Sequence, residues 1–261
     1  MDSIKMRSIP SLYIQQGREQ STKIALSLTR AKTKIAVRVT GGCGNMEAKN
    51  ANGMLELFSK SFKNFEGVFL FGGTRMIMRH NHETILPGIT ETAALIKIIS
   101  PTAIILGVVP RSQELKVSDF GMIVSDQKEN DFVTIIHPDQ DICLLVQQSI
   151  DQTASWEAEY EACMDITENL REFAGWKSLL VSYNGGTVTA KEIEATAKRN
   201  WPVLLISGSG RKTDEYASDK DFLKRFSNVY VCQNHSDSLR RHLTQLGAVA
   251  TTREFLKVVS N

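Results

Sequence analysis

A chain of 261 residues, 42% apolar and 23% charged, suits one large soluble domain or two small ones, with a substantial core. A net charge of +2 excludes the overall basic field that binds nucleic acid or an anionic membrane surface. The longest apolar run, Ala103 to Pro110, is too short to span a bilayer, and residues 1–20 lack the unbroken apolar core of a signal peptide. The expectation is a cytoplasmic protein.

Taken in chain order, short apolar runs alternate with segments of helical period. Residues 22–30 read equally as helix or strand. Lys34 to Val39 is a strand that ends in Thr40-Gly41-Gly42, and Ala51 to Phe65 follows with helical spacing of its Met, Leu and Phe residues. Gly67 to Phe71 is the next strand, ending in Gly72-Gly73-Thr74. Thr90 to Ile99 reads as a helix with Thr90 as N-cap and Pro101 as its stop. Thr102 to Val109 is a third strand, and Phe120 to Val124, Phe132 to Ile136 and Ile142 to Val146 are short strand candidates.

The spacing then predicts a long acidic helix over Trp156 to Phe173, with Trp156, Tyr160, Cys163, Ile166 and Leu170 as its apolar stripe. Lys177 to Val181 is a buried strand ending in Tyr183-Asn184-Gly185-Gly186-Thr187. A helix over Ala190 to Arg199, a strand over Pro202 to Ile206 and the turn Ser207-Gly208-Ser209-Gly210-Arg211 come next. The strand Val229 to Cys232 and a helix around Leu239 to Leu246 complete the order. Strands alternating with helices imply an α/β, Rossmann-like, doubly wound and mainly parallel sheet with helices on both faces. No linker divides the chain, so residues 34–261 read as one domain and residues 1–33 as its N-terminal extension.

Four strands end in small-residue turns: residues 40–42, 72–74, 184–187 and 207–211. Glycine lets successive backbone N–H groups converge and lets an anion approach the chain, and in open α/β sheets the ligand crevice lies at the carboxyl edge. A single such turn is ordinarily only a tight βα connection, but four on one edge mark a site. The phosphate-binding candidates are therefore Thr40, Gly41, Gly42, Gly72, Gly73, Thr74, Asn184, Gly185, Gly186, Thr187, Gly208, Ser209 and Gly210, with Arg75 and Arg211 as guanidinium partners. None of the turns is the dinucleotide fingerprint or the P-loop, which disfavours a standard dehydrogenase or ATPase.

Cys43, Cys143, Cys163 and Cys232 are scattered, which fits buried free thiols, and no histidine spacing fits a metal. No metal and no required cofactor are expected.

The second half carries a resemblance. HPDQDICLLVQQ, SWEAEYE and SLLVSYNGGTVTAKEIEATAKRNWPVLLISGSGRKTDEYA are similar to the SLOG superfamily, nearest the SLOG domain at the cytosolic N-terminus of TRPM cation channels and its prokaryotic relatives. VTGG at 39–42, GVFLFGGTRMI at 67–77 and GITETAAL at 88–95 extend the likeness more loosely. The residues between Arg75 and Gly88 have no counterpart in it. The resemblance implies a sensor of nucleotides such as ADP-ribose or cyclic ADP-ribose in a prokaryotic conflict or antiphage system, either standing alone or partnering an effector protein encoded elsewhere. It leaves self-association open.

It also implies an enzyme alternative. The sister LOG phosphoribohydrolases cleave nucleoside monophosphates with a PGGxGTxxE motif, and residues 184–192 follow its register, placing Glu192 on the catalytic glutamate. Asn184 replaces the proline and Val188 the third glycine, so the motif is broken. A third reading is a scaffold with no ligand. The acidic helix start is explained by the helix dipole alone, while the family's pattern makes Glu159 or Glu161 a ribose contact. Trp156 and Tyr160 read as core, and Tyr183 as the residue that stacks on a base.

Overall fold

The structure, a computed structural model, describes residues 11–15, 23–25, 27–28, 31–43, 46–80, 84–110, 116–118, 121–127, 131–147 and 155–250. Its centre is an eight-stranded sheet in which every neighbouring pair is parallel. The strands are β1 (Ser11–Gln15), β2 (Ile35–Gly41), β3 (Val68–Phe71), β5 (Ile104–Pro110), β9 (Ile142–Val146), β10 (Lys177–Tyr183), β11 (Val203–Ser207) and β12 (Val229–Gln233). Their spatial order is β1-β9-β5-β3-β2-β10-β11-β12. The doubly wound architecture read from the sequence is the one observed.

Burial on both faces explains why these strands read as continuous apolar runs rather than alternating ones. Strand β3 is wholly buried, and so is β2 up to Gly41, Arg38 included. One face carries α1 (Ala48–Ser61), α2 (Thr92–Ile99) and α7 (Ser236–Gln245). Met54, Leu57, Phe58 and Ser61 form the buried stripe of α1 at helical spacing, and Phe58, Phe62, Phe65 and Phe69 pack in ring contacts of 5.1–6.4 Å beneath it. The other face carries α3 (Trp156–Ala174), α4 (Thr187–Lys198), α5 (Arg211–Ser218) and α6 (Lys220–Arg225).

Four expectations need correction. A second sheet exists: β4 (Thr74–Met78), β8 (Phe132–Ile136), β7 (Gly121–Gln127) and β6 (Lys116–Ser118) form an antiparallel sheet in that order. The strand candidates near 120–124 and 132–136 belong to it (Phe120 itself lies outside the described residues). The Gly72-Gly73-Thr74 turn therefore feeds a strand, and the residues without a counterpart after Arg75 are β4 and its return leg, closed by a bridge between Ile77 and Ile85. Thr90 is not an N-cap; it lies inside a 3₁₀ turn, Ile89–Glu91, and α2 starts at Thr92. The buried stripe of α3 is Ala158, Ala162, Cys163, Ile166 and Leu170, while Trp156 is 43% exposed and Tyr160 half-buried, because the helix is rotated to turn Glu159 inward. The fourth concerns Cys43, which is exposed, whereas the other three thiols are buried as expected. The segment 1–33 contributes β1, which pairs with β9, and Ile24, Ala25 and Leu28, which pack into the core. Most of 22–30 falls outside the described residues.

Candidate functional site

Strand β2 lies at the point where the winding reverses: the chain runs outward from it to β3 on one side, and β10 flanks it on the other. The loops leaving two such neighbours diverge to opposite faces and open a crevice. At its floor β2 and β10 close tightly. A Cβ on Gly41 would lie 2.2 Å from the Tyr183 carbonyl oxygen, so only glycine fits. The crevice holds a cavity of about 170 Å³ bounded by the ends of β2 and β3, the 3₁₀ turn at 89–91 and the first turns of α3 and α4.

The charge at its base comes from three buried side chains. Arg38 Nε donates to Glu192 Oε1 at 2.7 Å, and Nη2 donates to Glu159 Oε1 at 2.6 Å and to Glu192 Oε2 at 3.5 Å. The Glu192 side chain is fully buried, and those of Arg38 and Glu159 are nearly so. Burial pushes the Glu159 carboxyl up; Arg38 works against that rise and the Glu192 charge adds to it. Arg38 Nη1 is buried without a hydrogen-bond partner. Gly72 lets the Glu159 carboxylate pass close to the chain, since a Cβ there would stand 3.3 Å from both of its oxygens. Trp156 forms part of the rim, Thr90 and Val188 the walls, and Thr40 Oγ1 lies 3.4 Å from Thr189 Oγ1.

The turns after β10 and β11 are one unit. Asn184 N–H donates to Ser209 Oγ, Asn184 Nδ2 to the Ser209 carbonyl, and Thr213 Oγ1 to the Asn184 carbonyl, at 2.9, 2.8 and 2.5 Å. The Gly185 N–H is taken by the Asn184 side chain. The Gly208 and Gly210 N–H groups, expected to face a phosphate, both donate to the Asp214 carboxylate, at 2.6 and 2.9 Å. Four of the amides expected at a ligand are thus bonded internally. Helix α4, by contrast, begins at Gly186–Thr187 with no side-chain cap, so the orphan N–H groups of its first turn are available to an anion. The Arg211 guanidinium lies over that start: a Cβ on Gly186 would be 3.1 Å from Arg211 Nη2.

With this geometry, the comparison with known families is decisive: the family described as SLOG in TRPM, prokaryote, matches residues 34–240. The chain belongs to this SLOG family. Among solved structures, the structural-genomics target TM1055 covers 82% of this SLOG chain with 99% of its own, at 15% identity and a TM-score of 0.51. The molybdenum cofactor carrier protein of Chlamydomonas reinhardtii is 17% identical, with coverage of 82% and 98% and a TM-score of 0.49. The molybdenum cofactor binding protein of Rippkaea orientalis is 13% identical, with coverage of 88% and 100% and a TM-score of 0.46. At 15% identity the likeness to TM1055 is one of fold. No curated protein matches the sequence significantly.

Several predicted site residues of the SLOG chain lie elsewhere. Arg75 is on β4 and is engaged in a separate cluster, donating to Glu91 at 2.8–3.1 Å and to Asp139 at 3.4 Å. Gly73 and Thr74 face the antiparallel sheet: the Gly73 carbonyl accepts from His137 N, and Thr74 pairs with Ile136. The Gly42 carbonyl accepts from Ile89 N and ties the 3₁₀ turn to β2. Glu161 is exposed on the outer face of α3 and lies off the cavity. Tyr183 is 1% exposed and donates through its hydroxyl to the Asn50 carbonyl, so its ring has no face open for a base; the open ring at the cavity is that of Trp156.

Arg38, Trp156, Thr189 and Asp214 were not singled out for these places by the sequence. Arg38 left a signal, as a charge inside the apolar run IAVRV: a buried guanidinium requires carboxylate partners. Among the described residues no three side chains form a metal-binding group, and no helix is long and apolar enough to cross a membrane.

Proposed function

We propose that this SLOG domain binds a phosphate-bearing nucleotide of the ADP-ribose class and does not hydrolyse it. The observation that carries the reading is the switch-point cavity, lined by the Trp156 ring, the Glu159 carboxylate and the first turn of α4, beside the uncapped start of that helix where the Arg211 guanidinium lies. A phosphate at the start of α4 would meet backbone amides, the helix dipole and the neighbouring Arg211 guanidinium, a bidentate donor. Trp156 offers a ring face to a base, and Glu159 offers an acceptor to ribose hydroxyls. The domain would act as a cytoplasmic sensor that passes occupancy to an effector protein.

The hydrolase alternative rests on Glu192. A general base or acid must reach the substrate; Glu192 lies at the base of the cavity, but its side chain is fully buried and both its oxygens are engaged by Arg38. Val188 in place of the motif's third glycine narrows the same wall.

Calorimetry of the full chain with ADP-ribose, cyclic ADP-ribose, NAD, AMP and ribose 5-phosphate tests the proposal. Saturable binding of the adenine-bearing phosphates, weaker binding of ribose 5-phosphate and no free base after long incubation are expected. Base release that disappears in Glu192→Gln establishes the hydrolase instead. Silence with every compound establishes a scaffold without a nucleotide ligand.

A further inference from the structure

We infer that Asp214 is a positioning residue for the ligand site: it fills the amide concavity of the 207–211 loop and so fixes Arg211 over the start of α4. The inference rests on the proposed phosphate position and assigns this glycine loop a different task from the one its composition implies. A glycine loop between a strand and a helix can turn its amides toward an external anion. Here an internal carboxylate occupies it, with Oδ1 accepting from Gly208 N and Oδ2 from Gly210 N.

The backbone shows why such a brace is needed. Gly208, Gly210 and Arg211 all have positive φ, at 83°, 96° and 53°. Glycine tolerates that region freely, whereas a long side chain such as arginine rarely adopts it. A left-handed Arg211 sends its guanidinium back across the loop to Gly186. With ordinary helical dihedrals at this first helical position, the side chain would leave in another direction. The far side of the loop is pinned as well, since Thr213 Oγ1 and N both donate to the Asn184 carbonyl and Lys212 N to that of Gly185. Asp214 therefore closes the near side of a clamp whose product is the placement of one cationic side chain.

The test is a double-mutant cycle on the full chain. Asp214→Asn and Asp214→Ala are made in the native background and in Arg211→Ala, and each is titrated with ADP-ribose by calorimetry. The Arg211 Nε–H resonance is followed by NMR without ligand. In the native background Asp214→Ala should weaken binding about tenfold and Asp214→Asn, which keeps one acceptor, should lose less. With Arg211→Ala already present, neither should cost anything further. The Arg211 resonance should be dispersed in the native chain and should collapse toward the solvent-exposed arginines in Asp214→Ala. Circular dichroism shows whether each variant is folded, and Asp214→Asn serves if Asp214→Ala is not. Three outcomes overturn the inference: tighter binding in Asp214→Ala, which makes the carboxylate a displaceable occupant of the phosphate's own place; an equal loss in both backgrounds, which makes it a loop brace only; or an unmoved Arg211 resonance. If the native chain binds no nucleotide, the proposed function falls, and the resonance still decides the inference.

Discussion

Arg38 brings a positive charge into the middle of the sheet, and two carboxylates from distant helices complete it. Removing one member of such a buried set leaves the others uncompensated, which costs more than the set contributes. Arg38→Met should therefore lower unfolding stability by about 3–5 kcal/mol, since Glu159 and Glu192 would face each other without a cation. Adding Glu159→Gln and Glu192→Gln to it should restore a large part. Urea unfolding of the single and triple variants measures both. At this scale the sequence is least legible. The partners of Arg38 lie 121 and 154 residues away, so nothing local to KIAVRV names them. The sequence reads Trp156 as buried and Tyr183 as open, the reverse of their observed exposure, for a similar reason. The spacing along α3 gives its period, but the phase of its inward face is set by the carboxylate of Glu159 meeting Arg38.

Among the elements, the antiparallel sheet is the addition that a strictly alternating reading misses. Buried parallel strands announce themselves as apolar runs, and β2, β3, β5, β9, β10 and β11 all did. Strand β4 reads as TRMIM, and its pairing with β8 more than fifty residues on leaves no trace in its own sequence. This sheet meets the cavity wall through a half-buried polar cluster around the buried His137: Arg75 from β4, Glu91 from the 3₁₀ turn, and His137 and Asp139 just after β8. Burial holds the His137 imidazole below its ordinary value of 6.5; Arg75 adds to that fall while Glu91 and Asp139 oppose it. Burial also works against the charge on Glu91, but bonds from His137 and Arg75 outweigh it and keep that carboxyl low.

The sign for His137 follows. In the unfolded chain its imidazole takes up a proton near pH 6.5, whereas in the folded chain it resists until lower pH. Between those points the unfolded state binds more protons, so stability is complete above pH 6.5 and is lost as pH falls below it, at up to about 1.4 kcal/mol per pH unit. His137→Asn should be less stable near neutrality and should lack this slope above the carboxylate range. Urea midpoints measured at about pH 7.5 and about pH 5.5 compare the two. An equal slope in the variant assigns the loss to another group.

Across the whole molecule, the two halves of the chain are joined at β2 and β10, and the cavity exists only because both supply it. The first half gives Arg38, Gly41, Gly72 and Thr90; the second gives Trp156, Glu159, Val188 and Glu192. That a crevice would open on this edge was legible, because four strands end in glycine turns and a parallel sheet has one carboxyl edge. How those turns are used was not, since internal bonding within the two turns after β10 and β11 consumes four of the amides that composition alone would leave for a ligand.

Indole placement has an optical consequence. The chain has three tryptophans. Trp176 and Trp201 are buried, and Arg171 and Arg199 lie over the Trp201 ring at 5.4 and 5.7 Å. Trp156 alone is open, and it stands at the rim of the cavity. The protein therefore carries a built-in fluorophore for its own site. Acrylamide should quench the Trp156 fraction of the emission and spare the rest. ADP-ribose should shield that fraction, and in Trp156→Phe the ligand-dependent part of the signal should vanish while the remaining emission, now from buried rings, shifts to the blue. Shielding that persists in Trp156→Phe would place the ligand beside a different indole.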